Sequence, residues 1–395
     1  MTVAAAMDTP IAALPSAHRI ARVDIIQDVA AAEPVWRQFE TSAHLATPYQ
    51  RFDFQAAWLK HVATAEGVQP TIVIAYDPDQ QPLLLLPLVV GRENGMRVAS
   101  FPGGKHVTFN MPLWRRDFAD SATRSEMETL LKGIHARAGN IDVLALLRQP
   151  QTWRGIANPM ALLAHQPSTN DCPVLIITPD TGPNDRVSSS MRKRLKTKEA
   201  KYKGLPGYGY MHATTPADVT RVLDMFFAVK PLRMAEQGLP DVFAEPGVEA
   251  FLRDACAAPR SGGYAIDIHA LVCDEEVIAM FAGVADEDRF SMMFNTYTMS
   301  ANAKYSPGLI LMRTIVDYYA ERGIRSLDLG IGEGDYKRMF CKDDEVIFDS
   351  YIPLTTRGRL GALGLSSVAH AKRMVKQSPA LLQMAQKLRG AFQRS

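Results

Sequence analysis

The sequence predicts a mixed α/β protein in which one unit occurs twice. Three observations carry that expectation. The stretch 290–340 passes from strand-like to helix-like periodicity and back: FSMMFNTYT, a small-residue break AKYSPG, the amphipathic run LILMRTIVDYYAERG, the short apolar SLDLG, then GEGDYKRMF. The first half repeats that succession, with extended segments, a helix ending in glycine (ARAG at 136–139, against AERG at 320–323) and a short apolar strand. Finally, 395 residues, 47% of them hydrophobic, suffice for two domains with real cores.

In order along the chain, TIVIAY (71–76) and PLLLLPLVV (82–90) read as strands, followed by a glycine-containing turn region, FPGGKHVTFNMPLW. A helix is expected over 117–138 and a strand at IDVLALL (141–147). A proline-punctuated stretch from Pro167 to Pro183 sets a boundary near residue 170. Helical patterns around 188–203, 216–237 and 245–257 then lead into the strands IDIHALVC, EEVIAMFAGVAD and FSMMFNTYT, and EVIFDSYIPL is the last element before the tail. The expected organisation is an extension (1–30), a first domain without a phosphate cradle (31–170), a second domain that carries one (171–356) and a basic amphipathic tail (357–395).

Composition excludes several function classes. Cys172, Cys256, Cys273 and Cys341 form no CxxC pair and have no histidines at ligand spacing, so neither a disulfide framework nor a metal site is expected. The stretch MTVAAAMDTPIAALPSAHRI lacks a basic leader and is broken by Asp8, Pro10 and Pro15, which argues against a signal peptide. PLLLLPLVV is far short of the ~20 residues that span a bilayer, and the expected location is the cytoplasm. The net charge of +2 hides an asymmetry, because eight Lys or Arg and no Asp or Glu follow from Arg357 onward. Ser378-Pro379 can start a helix there, with Leu381, Ala385, Leu388 and Phe392 at helical spacing among Lys387, Arg389 and Arg394. Such a segment can pack on the body or lie peripherally on the inner face of an anionic membrane.

The turn before LILMRTIV is the centre of the functional expectation. A helix starting at Pro307 or Gly308 leaves its first N–H groups without intrahelical partners and carries partial positive charge, which suits a pyrophosphate. Ser306 can cap it, Pro307 suits the first helical position, Gly308 leaves room for close approach, and Lys304 adds a cation. The corresponding helix of the first half begins near Asp117 and Asp120, whose carboxylates would repel a phosphate.

The pattern TPYQRFDFQAAWL, LLLLPL, SSSMRKRLK and NTYT…YSPG…LDLGIGEGDYKRMF resembles the acetyltransferases of the CelD/BcsL type, a branch of the GNAT superfamily similar in turn to the Fem-type transferases. The likeness spans roughly residues 35–355. It implies tandem GNAT-like domains, each a mixed, mostly antiparallel sheet flanked by helices. It also implies an acyl-CoA co-substrate, acetyl-CoA above all, and an amine or hydroxyl acceptor. The chain departs from the common GNAT phosphate loop, R/Q-x-x-G-x-G/A, in supplying one glycine at the helix start.

Direct acyl transfer needs a cradle for donor phosphates, a way to handle the acceptor proton and an acid for the leaving thiolate. Asp328, ending a short strand, can act as base or orient an amine; Tyr336 is the expected acid; Lys337 can bind a phosphate or an acceptor carboxylate. Tyr297 can face the same cleft, and the resemblance implies acceptor-side roles for Arg192, Lys230 and Arg233. The expected partner is a small-molecule or saccharide acceptor, with no nucleic acid. The alternatives are aminoacyl-tRNA-dependent transfer, supported by the base-rich helix at 188–203, and a non-catalytic scaffold in polysaccharide synthesis.

Overall fold

The computed structural model describes residues 19–378, apart from 261, 262 and 333. Two mixed sheets organise them. In the first, β1 (Arg22–Ile26), β2 (Gln69–Tyr76), β3 (Pro82–Glu93) and β4 (Met96–Ser100) pair antiparallel in sequence order. The apolar runs of β2 and β3 are buried on both faces, which is why they read as continuous rather than alternating. β1, which falls within the stretch 1–30 expected as an extension, is an edge strand of this sheet.

A crossover helix, α1 (Arg124–Arg137), then brings β5 (Val143–Pro150) parallel to β4. The single helix expected over 117–138 is two pieces, Arg116–Asp120 and α1. Thr123 interrupts it: its side chain accepts from the Glu126 N–H at 3.3 Å, while the Glu126 carboxylate accepts from the Thr123 N–H at 2.8 Å. This capping box starts a new helix instead of continuing the old one. The carboxylate at the start of the crossover helix is therefore Glu126; Asp117 and Asp120 belong to the preceding short helix.

The chain enters the second sheet with β6 (Cys172–Ile176). The basic helix α2 (Ser189–Glu199), β7 (Gly209–His212) and the long α3 (Pro216–Glu236) follow. β8 (Asp267–Val272), β9 (Val277–Ala285) and β10 (Arg289–Tyr297) form an antiparallel meander. Helix α4 (Pro307–Ala320) crosses over to β11 (Ser326–Asp328), parallel to β10, and after the short α5 (Asp335–Arg338) comes β12 (Asp343–Glu345). The sheet order is β7-β8-β9-β10-β11-β6-β12.

The last strand returns to the first sheet. β13 (Ile347–Pro353) pairs antiparallel with β5, Tyr351 opposite Ala145 and Ile352 opposite Leu144, and so covers an edge that β5 would otherwise leave open. The second domain drawn as 171–356 thus gives 347–353 to the first. Helix α6 (Thr356–Gln377) lies on β13 and β5, capped by Thr355, whose hydroxyl also donates to Asp142 at 2.7 Å. Gly358 permits this contact, since a Cβ there would stand 1.9 Å from the Asp142 carbonyl oxygen. The tail is therefore packed on the body up to residue 377, and the Leu381 to Phe392 pattern lies outside the described residues.

Phe54 of the first half stacks edge-on against Phe251 of the second at 5.3 Å, and one apolar core contains both with Phe109, Phe226 and Phe294. Arg154 bridges to Asp286 at 3.0 Å and Asp288 at 2.8 Å.

Candidate acyl-transfer site

Each half contains the same device, a parallel strand pair bridged by a helix. β10 and β11 pair over three positions, Arg289 with Ser326, Phe290 with Leu327 and Ser291 with Asp328, after which β11 stops and β10 runs on to Tyr297. The strands part there. A cavity of about 310 Å³ lies beside the continuing strand, at the N-terminus of α4, lined by Asn295, Tyr297, Ser306, Pro307, Gly308 and Tyr336 among others. Five residues expected from sequence meet in it: Tyr297, Ser306, Pro307, Gly308 and Tyr336.

Ser306 does not cap the helix. It occupies the left-handed region (φ 60°, ψ 53°), makes no side-chain cap bond, and accepts a hydrogen bond from the Lys198 ammonium at 2.7 Å. A non-glycine residue there costs ~1 kcal/mol or more, a strain that tends to collect at functional sites. Lys198 comes from α2, which Arg192 to Asp317 (2.6 Å) and Glu199 to Arg313 (2.8 Å) lay along α4. The helix start thus has an added cation and no acidic residue in its first turn. Lys304 stands just upstream with its ammonium 5.0 Å from the Tyr305 ring centre, outside the cavity lining.

Asn295 joins the cavity to α3. Its carbonyl accepts from Lys230 at 3.1 Å, and its side chain hydrogen-bonds Tyr336. Burial raises the Tyr336 phenol above its ordinary pKa, so the group keeps its proton at neutral pH. Burial, with Arg233 adding to it, lowers Lys230. The Arg233 guanidinium stacks 3.5 Å from the Tyr297 ring centre. Lys230 and Arg233 of α3 therefore both reach β10, at Asn295 and Tyr297. Arg192 does not join them: its guanidinium is engaged by Asp317 and by the Pro183 carbonyl, a fixed structural tie.

Asp328 and Lys337 are placed behind the cavity. Asp328 is fully buried, accepting from Ser291 Oγ at 2.5 Å and from the Gly330 N–H at 3.1 Å. Burial pushes its carboxyl up to about 6 against the opposing pull of Arg289 and these two bonds. Lys337 donates to the Gly330 and Ile331 carbonyls, each at 2.9 Å. Together they hold Gly330 and Ile331, in the loop upstream of Tyr336. The first half reaches the same loop, since a Cβ on Gly330 (φ 77°) would lie 3.8 Å from Thr108 Oγ1, itself bonded by the Tyr49 hydroxyl.

Lys198 and Asn295 went unsingled in sequence. Lys198 is one of seven bases between 192 and 203, and only the packing of α2 on α4 selects it. Asn295 stands in NTYT, and strand alternation alone does not tell a packing amide from one that bridges α3 and Tyr336. Among the described residues no His, Cys, Asp and Glu group could hold a metal ion.

A parallel strand pair bridged by a crossover helix, present in both of two mixed sheets flanked by helices, is the plan of a tandem GNAT fold. Residues 189–338 match the acetyltransferase (GNAT) domain family, and the chain carries a GNAT domain of the CelD/BcsL type. Among solved structures it is similar to FemX, at 8% identity over 82% of this chain and 96% of that one (TM-score 0.55). It is also similar to a conserved protein of unknown function from Bacteroides thetaiotaomicron VPI-5482, at 10% identity over 84% of this chain and 99% of that one (TM-score 0.53). At these identities the likeness is one of fold. No curated protein matches the chain.

Proposed function

We propose that the chain is an acyl-CoA-dependent N- or O-acyltransferase, with acetyl-CoA the first donor to test, acting on a small amine or a saccharide of the cell envelope or an exopolysaccharide. The observation that carries this reading is the cavity at the start of α4, where the helix N-terminus, Lys198 and Tyr336 converge. Acyl-CoA would supply an activated thioester. Gly308 and its neighbours take the pyrophosphate, with Lys198 as counter-charge. Tyr336, held protonated by burial and oriented by Asn295, gives its proton to the departing sulfur as the carbon–sulfur bond breaks. The new bond joins the acceptor nitrogen or oxygen to the acyl carbon, and the proton lost by the acceptor restores the phenol. Lys230, Arg233 and Tyr297 flank the acceptor. In this reading Asp328 and Lys337 act as positioning residues for the loop that presents Tyr336.

Calorimetry with acetyl-CoA and a longer acyl-CoA tests it, with wild type against Gly308→Leu. A Cβ at Gly308 meets only Tyr297 Cδ1 at 3.7 Å, an ordinary contact, so the fold tolerates a side chain while a leucine fills the cavity. Binding to wild type and none to the variant is expected; a wild type that binds neither thioester ends the acyl-CoA reading.

One observation favours the aminoacyl-tRNA alternative: Lys193, Arg194, Lys196, Lys201 and Lys203 remain exposed around α2. A gel shift of charged tRNA that salt abolishes would support it. An acceptor of the envelope places the work in the cytoplasm at the inner face of the membrane, with residues 357–395 as the contact.

A further inference from the structure

Helix α6 turns an apolar face to solvent. Its inner side, with Gly358, Ala362 and Ala369 buried, is fastened to the body by Arg357 to the Gly95 carbonyl (2.9 Å), Ser366 to Gln166 (2.5 Å), Arg373 to Asp171 (3.2 Å) and Lys376 to Asn170 (2.5 Å). On the opposite side Leu360 is 78% exposed, Leu363 66% and Met374 53%. Their spacing, with Ser367 and Ala371 between, makes one stripe along the helix. The helix carries Arg357, Arg359, Lys372, Arg373 and Lys376 and no acidic residue. A surface helix fastened by its inner face ordinarily shows polar residues outward, so this stripe is an unpartnered surface.

Charge selects the occupant. A second copy laid on this face would set one run of bases against another. Residues 379–395 folded back on it would add Lys387, Arg389 and Arg394, again with no acid to offset them. An anionic bilayer satisfies both features, because the stripe can enter the headgroup boundary while Arg359 and Lys372, exposed on its flanks and not used to fasten the helix, meet lipid phosphates. The far end of α6 also adjoins the transfer site. Asn170, held by Lys376, has its Oδ1 4.0 Å from where a Cβ on Gly332 would stand, and the Gly332 N–H donates to the Asp171 carbonyl at 2.9 Å. Gly332 lies in the loop that leads into Tyr336.

We propose that the outward face of α6 is a docking surface for an anionic membrane, seating the loop of the transfer site at the bilayer. The proposal rests on the peripheral placement inferred above and not on the donor chemistry. It is tested with the full chain by co-sedimentation on vesicles of phosphatidylcholine alone and of phosphatidylcholine mixed with phosphatidylglycerol. Wild type is compared with the triple variant Leu360→Ser, Leu363→Ser, Met374→Ser, whose exposed positions leave the fold intact by circular dichroism. Expected are binding to the mixed vesicles only, loss of that binding at high salt, and a drop of roughly tenfold or more in the variant. Acetyl-CoA calorimetry on the variant is expected to match wild type, which separates this surface from the donor site. Wild type that ignores anionic vesicles overturns the membrane placement altogether. Binding that the variant retains overturns the assignment to α6. A wild-type dimer that the variant turns into a monomer, with no vesicle binding, assigns the face to a second copy instead.

Discussion

The two halves use the same strand–helix–strand device and differ in what fills it. In the second, β10 runs on past β11 beside a cavity, at a helix start that carries Lys198 and no acid. In the first, β4 and β5 also pair over three positions, from Val98 with Val143 to Ser100 with Ala145. There the continuing edge of β5 is taken by the chain's own loop: the Asn110 N–H donates to the Arg148 carbonyl at 2.9 Å and its side chain to that of Leu147 at 3.2 Å. Arg148 in turn donates to the Gly104 and Val107 carbonyls at 2.9 and 2.7 Å. The helix start is occupied as well, by Glu126. Burial works against its charge, but hydrogen bonds from Arg19 and Thr123 overcome that and hold the carboxyl down at about 2. A groove of about 810 Å³ does run over the first half, yet its lining sets Arg92 and Arg97 against Glu66 and Glu93, a balanced field with no preference for an anion. One half thus keeps a cavity beside its continuing strand, and in the other the chain's own backbone takes that place. The closing loop is put to use: Thr108 within it buttresses Gly330 of the open half.

That comparison can be broken at its strongest point first. Tyr336→Phe is expected to lower kcat by roughly a hundredfold with little change in KM for the acyl donor, because the variant keeps the ring in the cavity and loses only the transferable proton. Equal rates for wild type and variant in a steady-state assay would remove Tyr336 from the chemistry. Next, Lys198→Ala should weaken acetyl-CoA binding by about tenfold in calorimetry, and the wild-type affinity should fall more steeply with salt than the variant's. An unchanged affinity would leave the helix N-terminus alone as the cradle. The smallest effect belongs to the closed half. Glu126→Ala removes a cap and the Arg19 partner, and should cost about 1–2 kcal/mol in denaturant unfolding at neutral pH while acetyl-CoA affinity stays put. The native carboxyl lies below its unfolded value of ~4.3, so its stabilisation is present above that pH and is lost as pH falls toward about 2. The gap between wild type and variant should therefore close over that window. A gap that persists below it would show that packing, not charge, makes the cap.

Much of the fold is legible in the sequence. Continuous apolar runs locate TIVIAY and PLLLLPLVV, extended patterning locates FSMMFNTYT and period 3.6 locates LILMRTIVDYYAERG, since each buries one face or both in its own element. The turn at Ser306 to Gly308 is legible as a helix start because the chemistry of a helix start is local. The partners of the charged side chains are not legible in that way. Arg192 and Lys198 belong to one run of bases, and nothing in that run says that one will lock onto Asp317 and the other reach Ser306. Asp328 was correctly put at a strand end, but its full burial depends on Ser291 and Arg289 arriving from the neighbouring strand.

The sequence by itself therefore determined the elements, the doubled α/β plan and the helix start at Pro307, because helix starts, strand alternation and glycine conformations are set by neighbours a few residues apart. Only the tertiary structure decided which half is open, that β13 returns to the first sheet, and that Asn295 and Lys198 join the site. Those outcomes depend on contacts between residues far apart in the chain, such as Asn110 with Arg148 and Lys198 with Ser306, and no local periodicity encodes them.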